Sequence, residues 1–233
     1  MTKPTETIIL SLGGSIIVPD EVDGEFLKKF RELILKHVKQ GKRFFIITGG
    51  GKTCRRYQAG IKQVLPHVSQ TELDWIGIYS THFNAQLVKI IFEKHAYHKI
   101  MTNPTEKIHF KSSDRIILAA GWEPGASTDI DSVLLAKNFG ITRIINLSNI
   151  DFVFDNDPKY HKDAKPFRNV KWNDFRKLVG NEWKPGLNAP FDPIASREAQ
   201  KLNMTVIITN GRDLENLDEI ISGKPGHKGT VIS

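Results

Sequence analysis

The chain has 233 residues and one cysteine, Cys54. No intrachain disulfide can form, and a lone thiol fits a reducing compartment. No apolar run approaches the roughly 20 residues of a membrane helix, and Met1 to Glu6 lack the apolar centre of a secretory signal. A cytoplasmic location with no membrane partner is expected. Repeats and low-complexity tracts are absent. There is no His/Cys spacing for a metal centre and no Ser-His-Asp order for hydrolysis. The eight histidines are scattered, and His95, His98 and His109 sit in polar surroundings, so they read as surface residues.

Two familiar glycine patterns are absent as well. Gly51-Lys52-Thr53 looks like the end of a Walker A loop, but the first glycine of that pattern would fall on Ile46. The third glycine of a dinucleotide fingerprint would fall on Cys54.

With 39% hydrophobic and 25% charged residues, the composition is that of a globular chain. The length suits one large α/β domain or two small ones. A net charge of +7 suits an anionic partner. Lys and Arg are spread along the chain without a dense run or an RNA-binding signature, which favours free nucleotides over nucleic acid.

The organising stretch is Phe44-Phe45-Ile46-Ile47-Thr48 followed by Gly49-Gly50-Gly51-Lys52. Four β-favouring residues predict a buried strand, and three glycines let backbone approach a ligand without a Cβ in the way. A helix beginning near Lys52 would aim free N–H groups and the positive end of its dipole at one spot, an arrangement that suits phosphate. A tight turn serving geometry alone is the competing reading. Arg55 and Arg56, one turn further on, could add a guanidinium to a bound phosphate or be solvated helix charges.

Ile8 to Leu12 form an earlier apolar run closed by Gly13-Gly14-Ser15, and Ile16 to Val18 read as its continuation. Phe26, Phe30, Leu33, Ile34 and Val38 then fall at helical spacing. The opening is therefore β-α-β with a glycine turn after each strand, the pattern of a parallel sheet with its ligand at the carboxyl ends of the strands. An amphipathic helix is expected from about Ser80 to Lys94, with Asp74 either capping it or accepting from a sugar.

Arg115 to Ala120 predict a strand leading into the loop Gly121 to Asp129. A helix follows over 130–139, capped by Ser127, Thr128 or Asp129. A strand over 144–147 leads into Asn149 to Pro158, whose carboxylates could organise Mg²⁺ or a ribose and whose Phe154 could lie against a base, or which could be an ordinary turn. Helices over 172–179, 194–201 and 214–221, a strand over 205–209 and a terminal strand over 229–232 complete the reading. Phosphoryl transfer would need mainly positioning and positive charge from such loops, with no nucleophilic side chain.

Six motifs together resemble one family. Leu12-Gly13-Gly14-Ser15, Thr48 to Lys52, Asp74-Trp75-Ile76-Gly77 with Thr81 and Asn84, Ser127-Thr128-Asp129, Asn156-Asp157-Pro158 and Phe191-Asp192-Pro193-Ile194-Ala195 occur in the order of the amino acid kinase fold. They are most similar to the archaeal type of uridylate (UMP) kinase, from about Ile8 to Ile232. The resemblance implies a single domain over residues 1–233, a three-layer αβα sandwich around a largely parallel central sheet. The acceptor would be bound by the N-terminal half and ATP by the C-terminal half.

It further implies that Gly49, Gly50 and Gly51 with Arg55 hold the UMP phosphate and that Asp74 takes the uridine ribose. Ser127, Thr128 and Asp129 would lie beside the acceptor. Gly13, Gly14 and Ser15 would face the ATP phosphates, Asn149, Phe154 and Asp157 would line the adenosine site, and Asp192 would organise the transfer centre with Mg²⁺. A homo-oligomer of the kind that builds hexamers from dimers is expected.

Three departures bear on activity. Many relatives carry a lysine two residues before the first glycine, where this chain has Ser11; Lys52 could substitute for it. Trp122 stands where uridylate kinases tend to have threonine near the acceptor, so it could reshape that pocket or simply pack. Phe152 replaces the glycine of an Asp-Gly turn. Another small acceptor, or a non-catalytic nucleotide-binding or storage role, are the alternative functions.

Overall fold

The computed structural model describes residues 3–156, 158, 160–182 and 189–233. Its centre is a seven-stranded sheet in the order β3-β2-β1-β4-β8-β9-β7. The first five of these strands are β1 (Thr7–Leu12), β2 (Arg43–Thr48), β3 (Ile116–Ala119), β4 (Arg143–Ser148) and β8 (Thr205–Asn210). They run parallel, and β9 (Thr230–Ile232) pairs antiparallel with β8. The edge strand β7 (Asn169–Val170) lies parallel to β9, and β5 (Val153–Phe154) pairs with β6 (Pro166–Phe167) in a separate two-stranded sheet.

The parallel strands are buried on both faces, which explains why they read as nearly unbroken apolar runs. Ile8, Leu10, Leu12, Phe44 and Ile46 join one core with α2 (Gly24–Lys39), the C-terminal half of α4 (Gln70–Phe92) and α8 (Leu214–Ser222). Ile9, Phe45, Ile47 and Ile117 join the other with α5 (Thr128–Phe139), α6 (Trp172–Val179) and α7 (Pro193–Lys201). The result is the expected three-layer αβα sandwich.

The strand order positions the site. From β1 the chain steps outward to β2 and β3, then returns to place β4 on the other side of β1. The βα loops therefore diverge at the β1/β4 boundary, the switch point of the sheet, beyond whose carboxyl end a ligand is expected in such folds.

Two expectations need correction. Ile16 to Val18 do not extend β1, because Gly14–Ile17 coil into the short helix α1, closed by hydrogen bonds from Ile16 N to Gly13 O (2.8 Å) and from Val18 N to Gly14 O (2.9 Å). The turn buries Ile16 and Ile17 as well as a strand would.

The helix expected from about Ser80 begins ten residues earlier. Ser69 caps it by accepting from Glu72 N, and Glu72 reaches back to Ser69 N in a capping box. Asp74 thus lies inside α4 and is not its cap. The helices at 172–179, 193–201 and 214–222 fall within a residue of their expected bounds, whereas the two-residue strands β6 and β7 had no sequence signal.

Since α4 carries much of the site, its cap has a measurable consequence. Ser69→Ala is expected to cost about 1 kcal/mol and to lower the thermal midpoint by roughly 2–4 °C. Glu72→Gln, which keeps the reciprocal bond, should stay close to wild type in the same circular-dichroism melt.

Candidate active site

Two glycine turns pack back to back at the carboxyl ends of β1 and β2. The strands are in register to their last residues, Leu12 opposite Thr48, so the turns that follow meet. A Cβ at Gly14 would lie 2.5 Å from Gly51 N and 2.6 Å from Gly50 C, and one at Gly51 would lie 2.5 Å from Ser15 N. Gly51 also has φ +63°, a conformation that L side chains adopt only at a cost. The bare backbone here serves turn-against-turn packing.

That packing brings two helix starts together. Gly13 caps α1, and Gly50 caps α3 (Gly51–Val64), whose first intrahelical bond runs from Cys54 N to Gly50 O (3.3 Å). The amides of Gly51, Lys52 and Thr53 are thereby left at the open end of the helix. Arg55 reaches across to Ser15 Oγ (3.2 Å), so a guanidinium spans both turns. Lys52 and Arg56 both bond to Asp20 Oδ1, at 3.1 and 3.0 Å, in the loop after α1. Of the cations singled out in the sequence, Arg55 sits between the turns and Lys52 is held at the rim.

Beneath the turns lies α4. Asn84, almost wholly buried, donates from Nδ2 to Gly49 O at 2.7 Å. Thr48 Oγ1 donates to Thr81 O (2.9 Å), and Thr81 Oγ1 accepts from Gly121 N (2.8 Å). Thr81 and Asn84 therefore hold the site's backbone from below. Ser80 Oγ fills the space that a Cβ on Gly50 would need.

The loop after β3 is tied down along its length. His82 Nε2 sits 2.8 Å from Gly121 O, Trp122 N donates to Asp131 Oδ2 (3.2 Å), and Gly125 N donates to Asp74 Oδ2 (3.0 Å). Asp74 also accepts from Gln70 Nε2 at 2.7 Å. Ser127 ends the loop by capping α5 through Ile130 N (3.3 Å) while donating to Asp192 Oδ2 (2.8 Å). Ser127 is thus the cap among the three candidates, and Thr128 opens the helix it caps.

Carboxylates gather on the opposite side. Asp192 caps α7 by accepting from Ile194 N (2.6 Å) and Ala195 N (2.8 Å) through Oδ1. Its own amide donates to Asp129 Oδ2 (3.0 Å). Burial pushes the Asp129 carboxyl up to about 7; the bond from the Asp192 amide opposes the rise and the Asp192 charge adds to it. Asn146 Nδ2 lies 3.5 Å from Asp129 Oδ1, and Ser11 is the neighbour of Asn146 in the β1–β4 register. Ser11 thus lies beside Asn146, whose side chain reaches toward Asp129.

The expected adenosine residues are more dispersed. Asn149 follows β4, where Gly211 N donates to Ser148 O (2.8 Å), so it lies beside the turn after β8. Phe154 lies on β5, opposite Pro166, and Val153 N donates to Thr230 Oγ1 (2.9 Å). Asp157 lies outside the described residues. Phe152 packs beneath the Arg168 guanidinium, 5.5 Å from ring centroid to Cζ. Among the described residues there is no group of three His, Cys, Asp or Glu that could hold a metal ion, and no helix is long and apolar enough to cross a membrane.

Asn146, His82 and Asp131 were not singled out in the sequence. Asn146 interrupts an apolar strand, and Asp131 shares a helix face with Leu135 four residues on. A polar residue at an inward position was the available signal for both.

The model of the amino acid kinase family matches residues 6–210. The uridylate kinase of Thermoplasma volcanium is 34% identical over 221 residues, 94% of this chain and 95% of that protein. That of Methanobrevibacter smithii is 32% identical, covering 93% and 95%. The crystal structure of uridylate kinase from Archaeoglobus fulgidus superimposes with a TM-score of 0.82 at 27% identity over 97% of this chain and 99% of that one. Aspartate kinase from Synechocystis shares the fold at 13% identity, with a TM-score of 0.74 over 97% of this chain and 39% of its own. The resemblance read from the six motifs is borne out.

The turn-on-turn packing separates two kinds of glycine. Gly14→Ala should lower stability by more than about 2 kcal/mol, because its Cβ meets backbone that cannot give. Gly60→Ala, in α3 with open space around it, should raise stability by roughly 0.5–1 kcal/mol. Thermal unfolding of both variants checks the contrast.

Proposed function

The chain belongs to the amino acid kinase family, and from that premise we propose how its two glycine turns work. It is an ATP-dependent phosphotransferase acting on UMP, giving UDP and ADP. The observation that carries the mechanism is the pair of helix starts packed back to back, since it offers two adjoining phosphate places at one switch point. The turn at Gly13, Gly14 and Ser15 takes the ATP phosphates. The turn at Gly49, Gly50 and Gly51, with Arg55 across both, takes the UMP phosphate. Most acceptor contacts then come from the N-terminal half, and the ATP side, apart from the Gly13–Ser15 turn, from the C-terminal half, with Asn149 and Phe154 assigned to the adenosine and Asp157 by resemblance only.

Chemistry here requires little of the side chains. The attacking oxygen belongs to a phosphate monoester, whose second pKa is about 6, so it is already ionised at neutral pH and needs no general base. What remains is alignment and charge neutralisation. Arg55 lies where both phosphates would meet. Lys52 would have to leave Asp20 to join it, a short move for an exposed, flexible chain. Asp192 organises the centre by fixing Ser127 and the start of α7, and the raised pKa of Asp129 lessens the negative charge beside the path of the phosphoryl group by partial protonation near neutral pH. Mg²⁺, which neutralises phosphate charge when bound, would be carried mainly by the phosphate oxygens themselves.

Acceptor contacts come from Asp74 to the ribose and from the loop carrying Trp122, Ser127, Thr128 and Asp129. Neither another small acceptor nor a storage role is favoured, because the curated relatives are uridylate kinases. A cytoplasmic enzyme fits this activity.

The same enzyme is a homo-oligomer, and α3 with α4 supplies its contact face. α3 has no buried residue. It exposes Tyr57, Val64 and Leu65 beside a stripe of Trp75, Tyr79, Phe83 and Ile90 on α4. The four aromatic rings alone expose on the order of 500 Å². With the aliphatic residues the face approaches the roughly 800 Å² per partner of a stable interface, which fits a second copy of this chain.

Two experiments test these readings. ADP release from Mg-ATP, assayed separately with UMP, CMP, AMP and acetylglutamate, should depend on UMP and vanish in Asp192→Asn; no turnover with UMP would sink the assignment. In sedimentation velocity, Phe83→Glu should weaken self-association at least about tenfold, and a wild-type protein that runs as a monomer would refute the oligomer.

A further inference from the structure

The β3–α5 loop has one support whose chemistry none of the preceding steps uses. Asp131 stands in the first turn of α5 and is 1% exposed. One oxygen, Oδ2, accepts from Trp122 N at 3.2 Å; the other, Oδ1, is buried with no partner. A buried carboxyl with half its hydrogen-bonding capacity unused is costly, and here it is spent on the backbone of the residue that departs from the acceptor pattern. We infer that Asp131 is a positioning residue for the acceptor loop, fixing the Trp122 backbone and thereby setting affinity for the acceptor. This rests on the assignment of residues 121–127 to the acceptor side.

Its protonation state should then matter. Burial raises the Asp131 carboxyl to about 7, opposed by the Trp122 amide bond and aided by the negative charges of Glu123 in the loop and Asp129 in the same helix. From α4, His82 meets the loop at Gly121 O, and at the start of α7 Asp192 bonds to Asp129 and Ser127. The folded state binds the proton more tightly than the unfolded chain, so stability present at acid pH is lost as pH rises through about 7. Above that point a buried carboxylate is left with Oδ1 unpartnered, and the nearest relief is for the Trp122–Glu123 segment to open and admit water.

The full-length protein tests this with UMP saturation kinetics and ligand-free tryptophan emission from about pH 6 to about pH 8. Wild type should show KM for UMP rising at least about threefold over that range, together with an emission shift, while any change of kcat from the titration of Asp129 is shared by wild type and variant. Asp131→Asn keeps an acceptor oxygen for Trp122 N and cannot ionise. Its KM should rise at least about twofold less across the range than that of wild type, its emission should not move, and its thermal midpoint should gain more over wild type at the alkaline end than at the acid end. Trp122→Phe should remove the emission shift, identifying the reporting ring.

An Asp131→Asn enzyme that keeps the wild-type pH dependence of both KM and emission would overturn the proposal. If the emission shift is present and abolished in Asp131→Asn while UMP is not turned over, the carboxyl still holds the loop and the acceptor assignment is what fails.

Discussion

The contact on which the site depends is backbone against backbone: Gly13-Gly14 after β1 packed on Gly49-Gly50-Gly51 after β2. Parallel neighbours in register must end at the same height, so their following turns compete for one volume. Only residues without a Cβ let both turns occupy it, and only then do the starts of α1 and α3 converge. On the proposed reading, the two helix ends can offer a phosphate place only because no side chains stand between them. The packing reading of these glycines holds, and it is compatible with the ligand reading that the sequence sets beside it as an alternative.

What keeps those turns fixed is α4. Asn84 holds the carbonyl of Gly49, Thr81 links the end of β2 to the amide of Gly121, and Asp74 holds Gly125 one loop further on. One helix thus sets the distance between the glycine turn after β2 and the β3–α5 loop. It can do so because its lower half is anchored in the core through Val88 and Phe92, and because buried hydrogen bonds to backbone are expensive to break. The outer face of the same helix carries the aromatic stripe, so self-association would brace the strut that spaces the site.

Legibility in the sequence followed the strength of local signals. Apolar runs ending in glycine marked β1, β2 and β8, an apolar run without one marked β4, and the spacing of apolar residues marked α2 and α6 to α8 within a residue or so. Two-residue strands such as β7 carry no period, and α1 hid because Ile16 and Ile17 are as apolar in a helical turn as in a strand. The true start of α4 was written in Ser69 and Glu72, a capping box, but Ser80 and the apolar residues after it drew the boundary inward. Candidate site residues were found where they sit in or next to glycine- and hydroxyl-rich loops, or, as with Thr81 and Asn84 in α4, where they belong to one of the six motifs. The supports beneath them, Asn146 and Asp131, lie inside regular elements, where only their polarity at an inward position distinguishes them.

Charge is sorted across the site, and this decides what each side can do. Arg55, Lys52 and Arg56 stand on the side of α3 with its helix dipole, whereas Asp129, Asp131 and Asp192 stand on the side of α5 and α7. A phosphate bound at the turns would meet the cations directly and feel the carboxylates across a short gap. Repulsion from that gap is reduced by the means the structure already shows: Asp192 is wrapped by the amides of α7, and Asp129 and Asp131 are pushed toward their neutral forms by burial. A phosphoryl group moving between two anions needs the field to be positive along its path. Uncharged carboxyls can keep the loops in place without opposing that field, so burying them serves both geometry and electrostatics.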